Sequence, residues 1–512
     1  MYRMNIKANE NNISVKPYKA NSIGAFYDNT AILVTGATGF IGKGILEKLM
    51  RVCPNIAAIY VLIRPKKDQT IEQRFKELID DPIYDSIKVN HPSLLSRIHL
   101  IQGDVSLPDL GLSPADRTML IEKVNIVFHL AATVRFNEPL NVAVNINTKG
   151  TARVIQLCKE LKHVISVVHV STAYSNAHLS EIEEKVYTTC FPPSTVIDIC
   201  EIEDKTLIDL LEERILKIYP NTYTFTKNLA EQIVSNNCDC LPVAIVRPSI
   251  IGASLEEPCP GWVDNVFGAT AVFLQVGRGI LRAMIINKDA RLDVVPIDYV
   301  IDTIMCAAWH VTLDCDTKTK VYNCTSNASP LKWGQLKDIY VECCIKTPMN
   351  NVLWYPFCIL LTNRYVYNVL NIFLHILPAF IMDTFLKLRD KRPTMMKINN
   401  YLNQLLIAIE YFDTREWTFH RYNITEMMRK VKTLEDGNIV KLDLQDMDWK
   451  KYITNYQMGI KKFILKENSR SVNAARRLSF LYWAHQIAQV FGLIVFLAVI
   501  GYLALVVCNF VH

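Results

Sequence analysis

The sequence predicts an α/β fold, a doubly wound parallel sheet, followed by a mainly helical region and a C-terminal transmembrane helix. Three observations predict it. From Thr30 to about residue 300, short apolar runs alternate with helical patterns, as in a parallel sheet covered on both faces. A glycine triplet, Gly36-x-x-Gly39-x-x-Gly42, follows the first run and opens the first long helix. Near the end, Val490 to Cys508 is 19 residues without a charge, enough to cross a bilayer core.

Bulk properties narrow the class. At 512 residues the chain exceeds one ordinary core, so two folded regions are expected. Net charge is +6 with both signs interspersed, which offers no basic tract for a nucleic acid. The N-terminal arm, residues 1–28, is polar and lacks an apolar signal core, so the chain is expected to start in the cytosol. Fourteen cysteines are scattered over apolar stretches. Without CxxC pairs or metal spacing, they read as reduced buried thiols, and no metal site is expected. Sequons at Asn12, Asn323, Asn327 and Asn423 then read as chance matches.

The predicted strands are Ala31–Val34, Ala57–Ile63, Ile98–Ile101, Val124–Leu130, Val164–Val170 and Pro242–Val246, several of them rich in β-branched residues. Helices are predicted over Gly39–Arg51, Asn141–Lys162 and Thr222–Ser235. Ligands of such sheets bind beyond the carboxyl ends of the strands, so the chemistry is sought there.

After the first strand, the glycines permit a tight turn and a close approach of pyrophosphate to the following helix N-terminus. Gly36, Thr38, Gly39, Phe40, Ile41 and Gly42 are the expected cradle, in an extended Rossmann spacing rather than GxGxxG. After the second strand, Arg64-Pro65-Lys66-Lys67 stands where an NAD site would place an acid for the ribose. A guanidinium there favours a 2′-phosphate, so NADPH is the expected cofactor, with Arg64 its main contact. Asp104, beside Val105, is expected at the adenine. Small Ala131 lets the cofactor pass close to the backbone, and Pro248 after the sixth run completes its site.

The fifth strand ends in Ser171-Thr172. Tyr223 and Lys227 lie four residues apart on one predicted helix, hence on one face. A phenol near ~10 is a poor acid at neutral pH. A neighbouring ammonium is expected to lower that value, so the proton leaves as a substrate oxygen becomes negative. Thr172, with Ser171 as its alternate, would orient a carbonyl, and Lys227 would also hold the nicotinamide ribose. Tyr84 and Lys88 repeat the spacing in a surface insertion and read as structural. The long stretch between Thr172 and Tyr223 is expected to form a lid or a binding wall.

The segments TGATGFIG, LIRPKK, GDVSLPDLGL, HLAATVRFNEPL, VHVSTAYSN, YPNTYTFTK, VRPSIIGASLEEPCPGW and DVVPIDYV, in that order, resemble eukaryotic fatty acyl-CoA reductases. The likeness resumes in YFDTREWTF and MDWKKYITNYQMGIKKFILKE, which resemble that family's helical C-terminal domain. It implies an NADPH-binding reductase domain over 29–330 and a sterile-type helical domain over 340–467, and the uncharged apolar tail adds an anchor over 488–509. It further implies two hydride transfers from NADPH, converting a long-chain or very-long-chain fatty acyl-CoA through an aldehyde to a primary alcohol, with release of CoA. Tyr223 would donate the proton, Lys227 would activate it, and Thr172 would hold the carbonyl. The chain departs from the family pattern at His420-Arg421, where Asp and Asn are usual, and at Asp302, where Asn is usual. The competing reading is a membrane-bound extended dehydrogenase acting on a sterol or a nucleotide sugar, against which the EWTF-like helical region argues.

Lys461, Lys462, Lys466, Arg470, Arg476 and Arg477 precede the apolar tail, a cationic approach that belongs on the cytosolic side. The folded mass is thus expected in the cytosol on a lipid bilayer, with the endoplasmic reticulum preferred over the peroxisome. Tyr365–Met382 is also uncharged and leaves three alternatives: it spans, lies in the interface, or walls an acyl channel.

Overall fold

The computed structural model describes residues 20–66, 68–202, 204–237, 241–314, 318–467 and 472–511. Most of the N-terminal arm, Asn12, Lys67 and Arg470 fall outside them. The chain divides into two compact units that interleave along the sequence: Met1–Ile251, Val294–Ala328 and Trp417–Gln445 form the first, and Gly252–Asp293, Ser329–Glu416 and Asp446–His512 the second.

The first unit is built on seven parallel strands: β1 Ala31–Thr35, β2 Ala58–Ile63, β3 Ile98–Gln102, β4 Ile126–His129, β5 Ser166–Val170, β6 Val243–Pro248 and β7 Lys320–Cys324. Their order is β7-β6-β5-β4-β1-β2-β3. Strands β1, β2, β4, β5 and β6 are buried along their whole length, which is why they read as unbroken apolar runs rather than alternations. The sequence predicted six of the seven. It missed β7, whose Lys320 and Asn323 interrupt the apolar pattern; Asn323 is nevertheless buried, donating to the carbonyls of Ile182 (3.1 Å) and His420 (2.8 Å).

Two predicted boundaries also change. The single helix expected over Asn141–Lys162 is α-helical at Leu140–Ala143, a π-turn at Val144–Lys149, and α-helical again at Gly150–Glu160. The arm described as polar ends in a short helix, Ile23–Tyr27, whose Ile23, Phe26 and Tyr27 are fully buried.

The sequons at Asn327 and Asn423, the first exposed and the second partly buried, are likewise hydrogen-bonded through their side chains. Their amide nitrogens donate to Phe419 O and Val321 O, both at 2.8 Å. All ten described cysteines are free thiols, and only Cys190 among them is exposed.

The second unit is mainly helical. Its helices include Gly268–Gly277, Trp333–Lys346, Met395–Asp413 and Trp449–Gly459. Phe273 stacks on Tyr340 at 4.4 Å and meets Tyr456 edge-on at 5.1 Å. Among the described residues, two helical stretches are long and apolar enough to cross a bilayer, Arg364–Leu388 and Asn473–Tyr502. The latter lies within one helix, Val472–Val511, that includes the predicted anchor.

Candidate active site

Strand order reverses between β1 and β4, so a crevice opens beyond their carboxyl ends, where such sheets bind ligands. Thr35 and His129 are paired across this point, and the Thr35 hydroxyl and His129 Nδ1 lie 2.8 Å apart. Gly36 turns the chain away from β1 with φ +75°, and a Cβ there would lie 2.8 Å from the Ala131 nitrogen. Only glycine fits. A Cβ at Gly42 would likewise lie 2.4 Å from the Gly36 carbonyl oxygen, so these two glycines serve the fold of the loop itself.

Between them, Thr38, Phe40 and Ile41 are partly exposed and Gly39 is open to solvent. The helix that follows, Phe40–Val52, carries no side-chain cap on its N-terminus. Backbone N–H groups and the helix dipole therefore face the crevice and suit an anion.

Arg64 is exposed at the end of β2. A second cation, which sequence reasoning missed, reaches the same place. Arg74, on the helix Ile71–Ile79, is largely buried; it donates to the Arg64 carbonyl and, at 3.4 Å, to the Thr38 hydroxyl. Burial, then Arg64 nearby, lowers its pKa. At the end of β3, one Asp104 oxygen accepts from Ser106 N–H (2.9 Å) and its hydroxyl (2.8 Å). Val105 is buried, and its carbonyl accepts from Arg153 at 2.9 Å. Pro248 is buried at the end of β6.

Tyr223, Lys227 and Thr172 converge at the end of β5. Asn221 caps the helix Thr222–Asn236. In the helix's first turn, Tyr223 comes close enough to Thr172 for that side chain to lower the phenol's pKa, while Phe136 stacks on its ring at 5.8 Å. Lys227 is buried and donates to the Val170 carbonyl at 2.8 Å. One more turn on, Glu231 accepts from Arg247 Nε and Nη2 at 2.9 and 2.6 Å and from Ser175 at 3.1 Å. That ion pair is fully buried and ties the helix to β6 and to the loop after β5. The π-turn holds its other side: Asn147 donates to Thr226 Oγ1 at 3.0 Å and Thr148 to Thr226 O at 3.2 Å. Such turns recur at functional sites.

The electrostatics differ from the expectation in one respect. Burial pushes the Tyr223 phenol up to about 12, with the Thr172 bond acting the other way. Lys227, expected to lower it, takes no part in this shift: at about 8 it has lost its charge before a phenol at about 12 ionises, whereas at neutral pH its ammonium is present. Burial lowers Lys227 to about 8, opposed by Glu231. His129 is held down to about 3, by burial first and Lys227 second.

Two buried hydroxyls here, Ser171 Oγ and Ser249 Oγ, have no partner within the protein. Buried polar groups are rarely left so. Their positions just past β5 and β6, together with the uncapped helix and the paired arginines, fit a polar, phosphate-bearing cofactor. Ser249 was not singled out from sequence.

The insertion between Thr172 and Tyr223 folds into helices Pro193–Glu201 and Lys205–Leu216. Val196, Cys200, Leu211 and Ile215 pack with Phe225 and Leu229 of the Tyr223 helix. Both helices thus pack onto the helix that carries Tyr223. Trp417 and Phe419 pack edge-on against Tyr174, and Trp417 Nε1 donates to Ala177 O at 3.0 Å. The EWTF segment thereby braces the loop that carries Thr172. Asp302 lies elsewhere in this unit, paired with Lys48 at 3.1 Å and pushed up by burial to about 7.

A family model described as male sterility protein, of the NAD-binding type, matches residues 34–304, and the Sterile model of the same description matches 374–467. Fatty acyl-CoA reductase 1 of Rattus norvegicus is 38% identical over 458 residues, covering 89% of this chain and 88% of the relative. The Homo sapiens protein of that name is 36% identical, with the same coverage of both chains. Among solved structures, the terminal R domain of the myxalamid pathway aligns with TM-score 0.58 at 18% identity, covering 85% of this chain and 91% of its own. A nonribosomal peptide synthetase reductase domain from Mycobacterium tuberculosis aligns with TM-score 0.57 at 17% identity, covering 86% and 92%. These two likenesses speak to the fold. Identity sustained over nearly nine tenths of both sequences speaks to more: the chain belongs to the fatty acyl-CoA reductase family.

Proposed function

We propose that the protein reduces long-chain and very-long-chain fatty acyl-CoA to primary alcohols with NADPH, in two steps through an aldehyde. The observation that carries the reading is the convergence of Tyr223, Thr172 and Lys227 at the end of β5, in a chain with family-level identity to fatty acyl-CoA reductases along its length.

NADPH, when bound, supplies hydride to the substrate carbonyl carbon. The glycine loop and the N-terminus of the Phe40–Val52 helix hold the pyrophosphate, Arg64 with Arg74 the 2′-phosphate, Asp104 with Val105 the adenine side, and Ala131 and Pro248 line the path to the nicotinamide. Lys227 reaches the ribose hydroxyls. Thr172, with Ser171, orients the thioester carbonyl. Tyr223, kept protonated by its burial, gives its proton to the oxygen that becomes negative, and Lys227 steadies the phenolate left behind. The resulting hemithioacetal breaks its C–S bond; the hydroxyl proton passes to the departing thiolate, giving CoA and an aldehyde. With a second NADPH bound in its turn to supply the second hydride to the aldehyde carbon, the same residues protonate the oxygen, giving the alcohol.

Residues 29–330 and 340–467 act together as reductase and sterile-type domains. The apolar helix over 488–509 anchors the protein with its catalytic mass in the cytosol, at the endoplasmic reticulum. A lipid surface suits the chemistry, since each methylene leaving water contributes about 0.8 kcal/mol.

The test is stoichiometry. Full-length protein given palmitoyl-CoA is expected to consume about two NADPH per thioester and yield hexadecanol, each hydride coming from the cofactor. No NADPH oxidation with any acyl chain between roughly 12 and 26 carbons, a span chosen for membrane partition, would overturn the reading.

A further inference from the structure

The stretch Arg364–Leu388 has two unlike faces. Outward lie Tyr365, Phe373, Phe380 and Leu388, exposed by 84%, 61%, 60% and 80%. Inward lie Tyr367, His375 and Asp383, all buried. The inward face is bonded to its own unit. His375 Nε2 accepts from Arg282 N–H at 2.9 Å and its Nδ1 meets Asn371 Oδ1 at 2.7 Å. The Asp383 carboxylate accepts from the backbone N–H groups of Thr394, Met395 and Met396 at 2.8, 2.8 and 2.9 Å. The same face, through Asn368 and Asn371, lines a small polar cavity with Asn403, Glu410 and Asp413. Crossing a bilayer would strip these bonds and place a carboxylate in hydrocarbon, where polar groups have no partners.

Charge marks what the outward face meets. Directly after the apolar stripe stand Lys387, Arg389, Lys391, Arg392 and Lys397, all exposed, against the one acid Asp390. Arg389 lies over the Phe385 ring at 4.3 Å. A stripe of aromatic and aliphatic side chains bordered by cations suits the headgroup region of an anionic leaflet.

Position agrees. The Arg282 guanidinium donates to Leu374 O at 2.9 Å and lies 5.4 Å over Trp354, whose Nε1–H donates to His485 Nδ1 at 3.2 Å. His485 is on the helix Val472–Val511, which packs on this unit through Leu478 and Leu481 and is exposed from Ile487. One arginine thus links the amphipathic stripe to the base of the apolar tail.

We propose that Arg364–Leu388 lies flat in an anionic membrane surface, its apolar face among the headgroups and its polar face on the protein, and does not span. This deepens the anchored reading above and rests on it, leaving residues 473–502 as the only crossing among the two candidates.

Full-length protein in sealed phosphatidylcholine vesicles, with and without phosphatidylserine, tests it. A benzophenone side chain at Phe373 or Phe380 is expected to form lipid adducts, more with phosphatidylserine, and one at exposed Val89 to form none. The R389E/R392E double variant is expected to abolish the phosphatidylserine gain. Adducts chiefly to a second copy of the chain would overturn the proposal in favour of self-association. Asn363→Cys and Lys391→Cys flank the stretch; an impermeant maleimide is expected to label both from outside, as it labels exposed Cys190. Labelling of only one would mean a span and overturn it. No readout needs turnover, so a protein inactive on acyl-CoA would leave this test standing.

Discussion

Tyr84 and Lys88 repeat the spacing of Tyr223 and Lys227 within the same unit, yet their surroundings have nothing in common. The Tyr84 phenol is fully buried and donates to the Lys43 carbonyl at 3.2 Å. Lys88 reaches Asp81 O at 3.2 Å and Asp85 at 3.1 Å, near the surface. Its partners are those of a helix end. Tyr223 instead comes under the influence of the Thr172 side chain at the end of β5, and buried Lys227 donates to the Val170 carbonyl, one residue before the Ser171-Thr172 pair. A spacing puts two side chains on one helical face. What that face meets decides whether they do chemistry.

The comparison breaks most readily at the phenol. Tyr223→Phe keeps the Phe136 stack but removes the proton, and kcat/KM is expected to fall about 10³-fold, within the range for general acids. A variant retaining a tenth of the rate would leave the two tyrosines equivalent.

Lys227→Met comes next, with an expected loss of about 10²-fold in kcat from removed charge stabilisation. The wild-type profile carries the same information. Lys227 is depressed to about 8, so it is charged below that pH and loses its proton as pH rises through it. The rate should therefore decline above about 8, and Lys88→Met should keep that decline unchanged.

Thr172→Ala removes the hydroxyl that acts to lower the phenol's pKa. We expect a loss of about 30-fold, between an ordinary and a charge-assisted hydrogen bond, read as kcat rather than KM. Arg64→Glu tests the cofactor side: NADPH preference over NADH should drop about tenfold, roughly one charge-assisted contact, with Arg74 retaining the remainder. An unchanged preference would remove Arg64 from the site.

Smallest is Tyr84→Phe. It should cost about 1 kcal/mol of stability for one lost buried bond, measurable by denaturant unfolding, with turnover unaltered.

The sheet was legible because β1, β2, β4, β5 and β6 are buried throughout, and burial writes itself as apolar runs. The glycine loop and the Tyr223 helix were legible because turn chemistry and helical spacing are local. What stayed hidden depends on partners distant in sequence. Arg74 reaches Thr38 across 36 residues, with no periodic signal in between. Phe136 and Ser249 gain significance only beside Tyr223 and β6. The sign of the Tyr223 shift depends on burial, which spacing does not encode. β7 was lost because buried Asn323 is satisfied by Ile182 and His420, far along the chain.

The bracing of the Thr172 loop by Trp417 has a consequence for biosynthesis. Residues Thr418–Phe419 pair with Glu181–Ile182, so the first unit is completed by a segment translated more than two hundred residues after the strand it pairs with. A ribosome that has already emitted β1 through β7 still holds an unfinished catalytic unit, since domains fold as units during synthesis. Stalling or truncation before Trp417 would release a chain with its glycine loop encoded in full and the Thr172 loop unbraced. Maturation of the enzyme therefore comes late in translation, shortly before the apolar tail emerges.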